Sequence, residues 1–304
     1  MFRGSIVALV TPFREGAVDA AALARLVEMH IAAGTHGLVP CGTTGESATL
    51  SHAEHQKVVE LVVERTNGRV PVIAGTGSNS TQEAVRLTKH AQDSGADGAL
   101  LIAPYYNRPS QEGLYRHFMA IADSVSLPLI LYNIPSRTGV SIEPATFARL
   151  AQHENVVAVK EASGRLDLAA EILGGTDLEV LAGDDALTLP VMALGGVGVI
   201  SVAANVVPRS MADLVDLFRE GRIAEARKIF YRLFPLFRAL FVEVNPVPVK
   251  RALALGGVVS DEVRLPLYKL QPKSEETLRQ AIAEVGLELD LFPGGEDAPP
   301  AGAE

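Results

Sequence analysis

The chain alternates short, almost wholly apolar runs with stretches whose apolar residues recur at helical spacing. The apolar runs cover 6–10, 37–41, 70–74, 98–103, 128–133, 156–160, 179–182 and 198–202. They lack the in–out alternation of a half-exposed strand, so each reads as a strand covered on both faces. Between them, amphipathic segments such as 20–33, 53–64, 82–93 and 210–220 predict helices. Eight strand–helix units predict a parallel sheet wrapped in helices. The count fits a closed (β/α)8 TIM barrel better than an open doubly wound sheet. After the eighth unit the pattern turns wholly helical, over 224–242, 248–254 and 274–284. The expected organisation is a catalytic barrel over 1–221, a C-terminal helical appendage over 222–290 and a tail over 291–304. The tail's Pro, Gly, Ala and acidic residues have nothing to bury, which predicts disorder.

One residue breaks this pattern. Lys160 closes the run Val156-Val157-Ala158-Val159 and so ends a strand that should be buried on both faces. Desolvation disfavours an ammonium there, and a neutral lysine amine is a nucleophile for carbonyl carbon. The competing explanation is a structural lysine that snorkels out or pairs with Glu161.

Composition narrows the field. A net charge of −9, with no local Lys/Arg cluster, argues against nucleic-acid binding. The single cysteine, Cys41, excludes internal disulfides and cysteine-rich metal sites and fits a reducing cytoplasm. It has no identifiable base beside it, so it reads as a small buried residue. No segment approaches the roughly 18 apolar residues of a membrane span. The loop 74–80 lacks the third glycine of a dinucleotide fingerprint. His52 and His55 have a metal-compatible spacing but no further ligands at suitable spacing. Capping of the next helix accounts for at least one of Asp184 and Asp185.

Barrel active sites lie at the C-terminal ends of the strands, and polar residues gather there. The second run leads into Cys41-Gly42-Thr43-Thr44-Gly45-Glu46, whose amides and hydroxyls could hold a carboxylate or relay a proton. The fourth ends in Tyr105-Tyr106-Asn107. The fifth ends in Tyr132-Asn133-Ile134-Pro135-Ser136-Arg137-Thr138-Gly139, offering a phenol for proton transfer and a guanidinium for a carboxylate.

These segments, with Val159-Lys160-Glu161-Ala162 and Gly183-Asp184-Asp185, resemble the pyruvate-dependent class I aldolase family over essentially the whole barrel. Tyr105-Tyr106-Asn107-Arg108-Pro109, the Arg137 segment and Asn245-Pro246-Val247-Pro248-Val249-Lys250 favour the branch that joins pyruvate to L-aspartate-4-semialdehyde in lysine and diaminopimelate biosynthesis. The resemblance implies that Lys160 forms the Schiff base and Tyr132 is the acid/base. Thr43 and Thr44 would hold the pyruvate carboxylate through their amides, with Thr44 also in the proton relay. Tyr106 would complete that relay from across a dimer interface, Arg137 would bind the aldehyde's carboxylate, and Gly183 and Ile200 would line the pyruvate pocket. No metal or organic cofactor is implied. The resemblance further implies a homotetramer of two dimers, and inhibition by L-lysine at Ser47, Ala48, His52, His55, Asn79, Glu83 and Tyr105. Other readings are a pyruvate aldolase for a sugar acid or hydroxy-oxo acid, and a non-catalytic binding protein on the same scaffold.

Overall fold

The structure, a computed structural model, describes residues 1–286; the expected tail over 291–304 lies outside them. Among the described residues, eight parallel strands form the barrel: Gly4–Ala8, Gly37–Val39, Ile73–Gly75, Gly98–Ile102, Leu129–Asn133, Val156–Glu161, Glu179–Ala182 and Gly198–Ser201. The first strand pairs with both the second and the eighth. The second and third are joined by the bridge Leu38–Val72 and by a bond from Gly75 N to Pro40 O of 2.9 Å. The ring is therefore closed, and the open-sheet alternative falls away.

All eight apolar runs become strands, with shifted ends. The first strand stops at Ala8, although the apolar run continues, because the Val10 amide is taken by Asn205 Oδ1 at 3.1 Å instead of a ladder partner. Closure also depends on Gly198. Its φ is +150°, and a Cβ there would lie 2.1 Å from Gly4 O, so only glycine lets the eighth strand approach the first.

Side chains alternate between two apolar layers. The inner layer fills the barrel with residues such as Ile6, Ile73, Ile130, Leu181 and Ile200, and Phe2 plugs its N-terminal end. The outer layer packs strands against helices and continues without a break into the C-terminal region. Phe230 and Leu233 of helix Ile223–Ala239, Leu253 of Val247–Leu255 and Leu278 of Pro272–Glu284 share it with Leu38 and Leu101. The last helix starts at Pro272, ahead of the expected 274, since a proline suits the first turn where its missing N–H is no loss. No described helix is long and apolar enough to cross a membrane.

A buried ion pair ties this region to the barrel mouth. Lys250 Nζ lies 2.6 Å from Glu46 Oε1, with the two side chains 0% and 1% exposed. The other carboxylate oxygen accepts from Arg264 N at 3.1 Å. Lys250 and the Arg264 guanidinium both sit over the Phe13 ring, 4.2 and 4.3 Å from its centroid. Burial pulls the Lys250 pKa down and Glu46 pulls it back up. Removing one partner strands the other's charge. Lys250→Met is expected to cost about 3–5 kcal/mol in chemical denaturation, and Lys250→Met/Glu46→Gln less than Lys250→Met alone.

Candidate active site

Lys160 and Tyr132 face each other because of register. They are paired partners on the sixth and fifth strands, and both point inward, in step with Ala158 and Ile130. Lys160 Nζ sits 4.2 Å from the centroid of the Tyr132 ring, and each residue is 5% exposed. Burial brings the Lys160 pKa down to about 7; Asp185 acts against this, and the Arg137 charge adds to it. A large fraction of the amine is thus neutral near pH 7. Burial likewise raises the Tyr132 phenol to about 12, opposed by the Arg137 charge and a hydrogen bond with Thr43. The phenol therefore starts protonated, as an acid.

Sequence reasoning gave Asp185 no role in the chemistry beyond helix capping; it is buried three residues past the seventh strand, where it opens a short 3-10 turn. Its oxygens accept from Ser201 Oγ at 2.5 Å, Val202 N at 3.1 Å and Ala203 N at 2.9 Å. Capping explains only Asp184, which accepts from Ala186 N at 2.9 Å. Gly183 is needed for space: a Cβ there would lie 2.5 Å from Ala162 Cβ. Ile200 is fully buried in the inner layer that also holds Tyr132.

The loop after the second strand separates the two threonines. Thr43 lines the cavity at the barrel mouth, as Tyr132 does, and it is the threonine whose side chain acts on the phenol. Thr44 is buried and its Oγ1 accepts from Asn245 Nδ2 at 2.9 Å. So the hydroxyl beside the phenol belongs to Thr43, where Thr44 was expected. Left-handed backbone at Cys41 and Glu46, with φ of 56° and 54°, bends the loop so that neighbours in sequence face different partners. Arg137 also lines the cavity, and its Nη2 donates to Asn245 O at 3.1 Å. Tyr106 is not brought into the site of its own chain. It is 90% exposed on a left-handed backbone with φ of 72°.

The cavity has a volume of about 520 Å³. Besides Thr43, Tyr132 and Arg137 it is lined by Ser47, Ala48, His52, His55, Glu83 and Tyr105. Six of the seven expected inhibitor-site positions therefore share one space with the barrel mouth. Asn79 is not on its wall; its carbonyl accepts from Asn107 Nδ2 at 2.9 Å. His52 Nε2 donates to Glu83 Oε1 at 2.6 Å, and Ser78 Oγ donates to the other Glu83 oxygen. Both bonds hold the Glu83 pKa below the usual carboxylate range. His55 Nε2 donates to Gly75 O at 2.8 Å, leaving Nδ1 as a buried acceptor without a partner, and burial keeps the ring neutral. The two histidines thus bond to separate partners, and no group of three or more candidate metal ligands occurs among the described residues.

A neutral lysine amine against a protonated phenol, in the mouth of a closed barrel, defines a Schiff-base-forming class of enzyme site. The chain belongs to the dihydrodipicolinate synthetase family, whose model matches residues 1–285. It is 57% identical to the 4-hydroxy-tetrahydrodipicolinate synthase of Syntrophus aciditrophicus, over 94% of this chain and 99% of that one. The chloride-inhibited dihydrodipicolinate synthase of Acinetobacter baumannii, solved with pyruvate, is 45% identical. It superposes with a TM-score of 0.92, covering 94% of this chain and 99% of the other. The enzyme of Cyanidioschyzon merolae, solved with lysine bound, is 43% identical with a TM-score of 0.91, covering 94% and 98%.

The depressed Lys160 pKa has a direct readout. Competitive labelling with acetic anhydride reports the neutral amine, which an ordinary lysine forms only around pH 10.4. Lys160 is expected to become reactive as pH rises through about 7. Asp185→Asn, by removing a charge that holds the proton on Lys160, is expected to move the inflection to lower pH.

Proposed function

We infer that this chain condenses pyruvate with L-aspartate-4-semialdehyde to 4-hydroxy-tetrahydrodipicolinate. The observation that carries this is Lys160, a buried amine near neutrality facing Tyr132, with Tyr132 and Arg137 both on the wall of the cavity at the barrel mouth. Lys160 attacks the pyruvate carbonyl, water leaves, and a protonated imine forms. That cation acidifies the methyl group, which loses a proton to give an enamine. The enamine carbon attacks the aldehyde carbon, whose oxygen takes up a proton. The substrate's own amino group then adds to the imine carbon, closes the ring and releases Lys160 as an amine.

Tyr132 delivers and recovers the protons, beginning as an acid because its phenol is held protonated. The relay hydroxyl is that of Thr43. Thr44 belongs to carboxylate binding. Arg137 offers a planar fork to the second substrate's carboxylate, which favours this aldehyde over the sugar acids of other pyruvate aldolases. Tyr106, exposed on strained backbone, suits a residue that completes a partner protomer's site in an oligomer.

The test is product formation from the two substrates, coupled to a reductase and followed as NADPH loss. Lys160→Ala is expected to abolish both turnover and borohydride-trapped pyruvate. Arg137→Ala should keep the trapped adduct while raising the KM for the aldehyde. Trapping on Lys160 without turnover would leave the Schiff base standing and overturn the choice of aldehyde.

L-Lysine is the inhibitor that the outer part of the cavity fits best, with Glu83 facing an ammonium and His55 Nδ1 as an extra acceptor. Millimolar L-lysine should lower activity. Glu83→Gln should weaken that inhibition by roughly 10- to 100-fold, as expected for loss of a charge-assisted bond. Unchanged activity at millimolar L-lysine would overturn this reading.

A further inference from the structure

Asn245 lies between the helices Ile223–Ala239 and Val247–Leu255, where the C-terminal region returns to the barrel mouth. It is 5% exposed and lines the cavity. Its Nδ2 donates to Thr44 Oγ1, its main-chain oxygen accepts from Arg137, and its Oδ1 is buried without a partner. An unpaired buried carbonyl destabilises a fold, so an asparagine here is not explained by packing. The other half of the amide explains it. An NH2 group only donates, so the Thr44 hydroxyl must accept from Asn245, and its single proton is left for a different acceptor. With the amide turned over, Thr44 would spend that proton on Asn245, and both amide N–H donors would be buried unpaired.

We propose that Asn245 is a positioning residue for pyruvate, fixing the Thr44 hydroxyl so that it donates to the pyruvate carboxylate. This rests on the pyruvate reading above. Because Arg137 is held by the main-chain oxygen of Asn245, a side-chain change at this position leaves that contact in place. The effect should therefore fall on pyruvate and not on the aldehyde.

The experiment measures how borohydride trapping on Lys160 depends on pyruvate concentration, using the full chain. Asn245→Ala should raise half-saturation about tenfold, as for a hydrogen bond to a charged group. Asn245→Asp should raise it at least as far, because a carboxylate accepts the Thr44 proton and repels the anion. In a Thr44→Val background, Asn245→Ala should add nothing, and the KM for the aldehyde should stay unchanged in Asn245→Ala. Half-saturation within twofold of the unaltered chain would overturn the proposal. So would an equal effect of Asn245→Ala in the Thr44→Val background, which is what a merely structural role would give. If the unaltered chain traps no pyruvate, the pyruvate reading itself has failed, and this assignment falls with it.

Discussion

The site depends on keeping the Lys160 amine out of water. Ionised ammonium groups are strongly hydrated, and only a closed, filled barrel can withhold that hydration from a lysine on an inner face. The rest of the architecture serves this. Gly198 lets the ring close, Phe2 plugs the bottom, and the inner layer packs up to the level of Tyr132. The charges nearby then adjust the result in opposite directions. Arg137 pushes the proton off Lys160, and Asp185 holds it on. Asp185 can do this without capturing Lys160 in an ion pair, because its oxygens are occupied by Ser201 and two backbone amides.

The barrel alone does not hold its mouth in shape. The loop carrying Thr43 and Thr44 leaves the sheet, and outside the strand ladder its backbone needs other partners. It is fixed from outside by the C-terminal region, through a helix and the segments that join the helices: Lys250 on Glu46, Arg264 N on the same carboxylate, and Asn245 on Thr44. The helical region shares one apolar layer with the barrel, so its anchoring is cooperative with the barrel core.

The sequence made the barrel legible because continuous apolar runs have few other structural solutions. Lys160 stood out because a charge at the end of such a run is costly. Local turns and long-range pairings were less legible. Thr43 and Thr44 are adjacent, and which one meets Tyr132 is decided by left-handed residues in the loop, which no hydrophobic period encodes. Asn245 meets Thr44 across 201 positions, and although its segment took part in the family resemblance, nothing in the sequence paired the two residues. Asp185 looked like half of a helix cap; its burial becomes visible only once the eighth strand brings Ser201 beside it.

Two lysines show why burial alone does not make a nucleophile. Lys160 and Lys250 both follow apolar segments, both are at most 5% exposed, and each has its Nζ 4.2 Å from an aromatic centroid. What differs is the nearest carboxylate. Glu46 reaches Lys250 at 2.6 Å as a direct ion-pair partner and acts against the burial that lowers its pKa. That lysine becomes a structural cation. Lys160 faces a protonated phenol, and the carboxylate acting on it is already bonded elsewhere, so desolvation prevails and the lone pair stays available. The same side chain in the same kind of hole is an ion-paired clamp in one place and an unpaired amine near neutrality in the other, according to where one carboxylate's oxygens are committed.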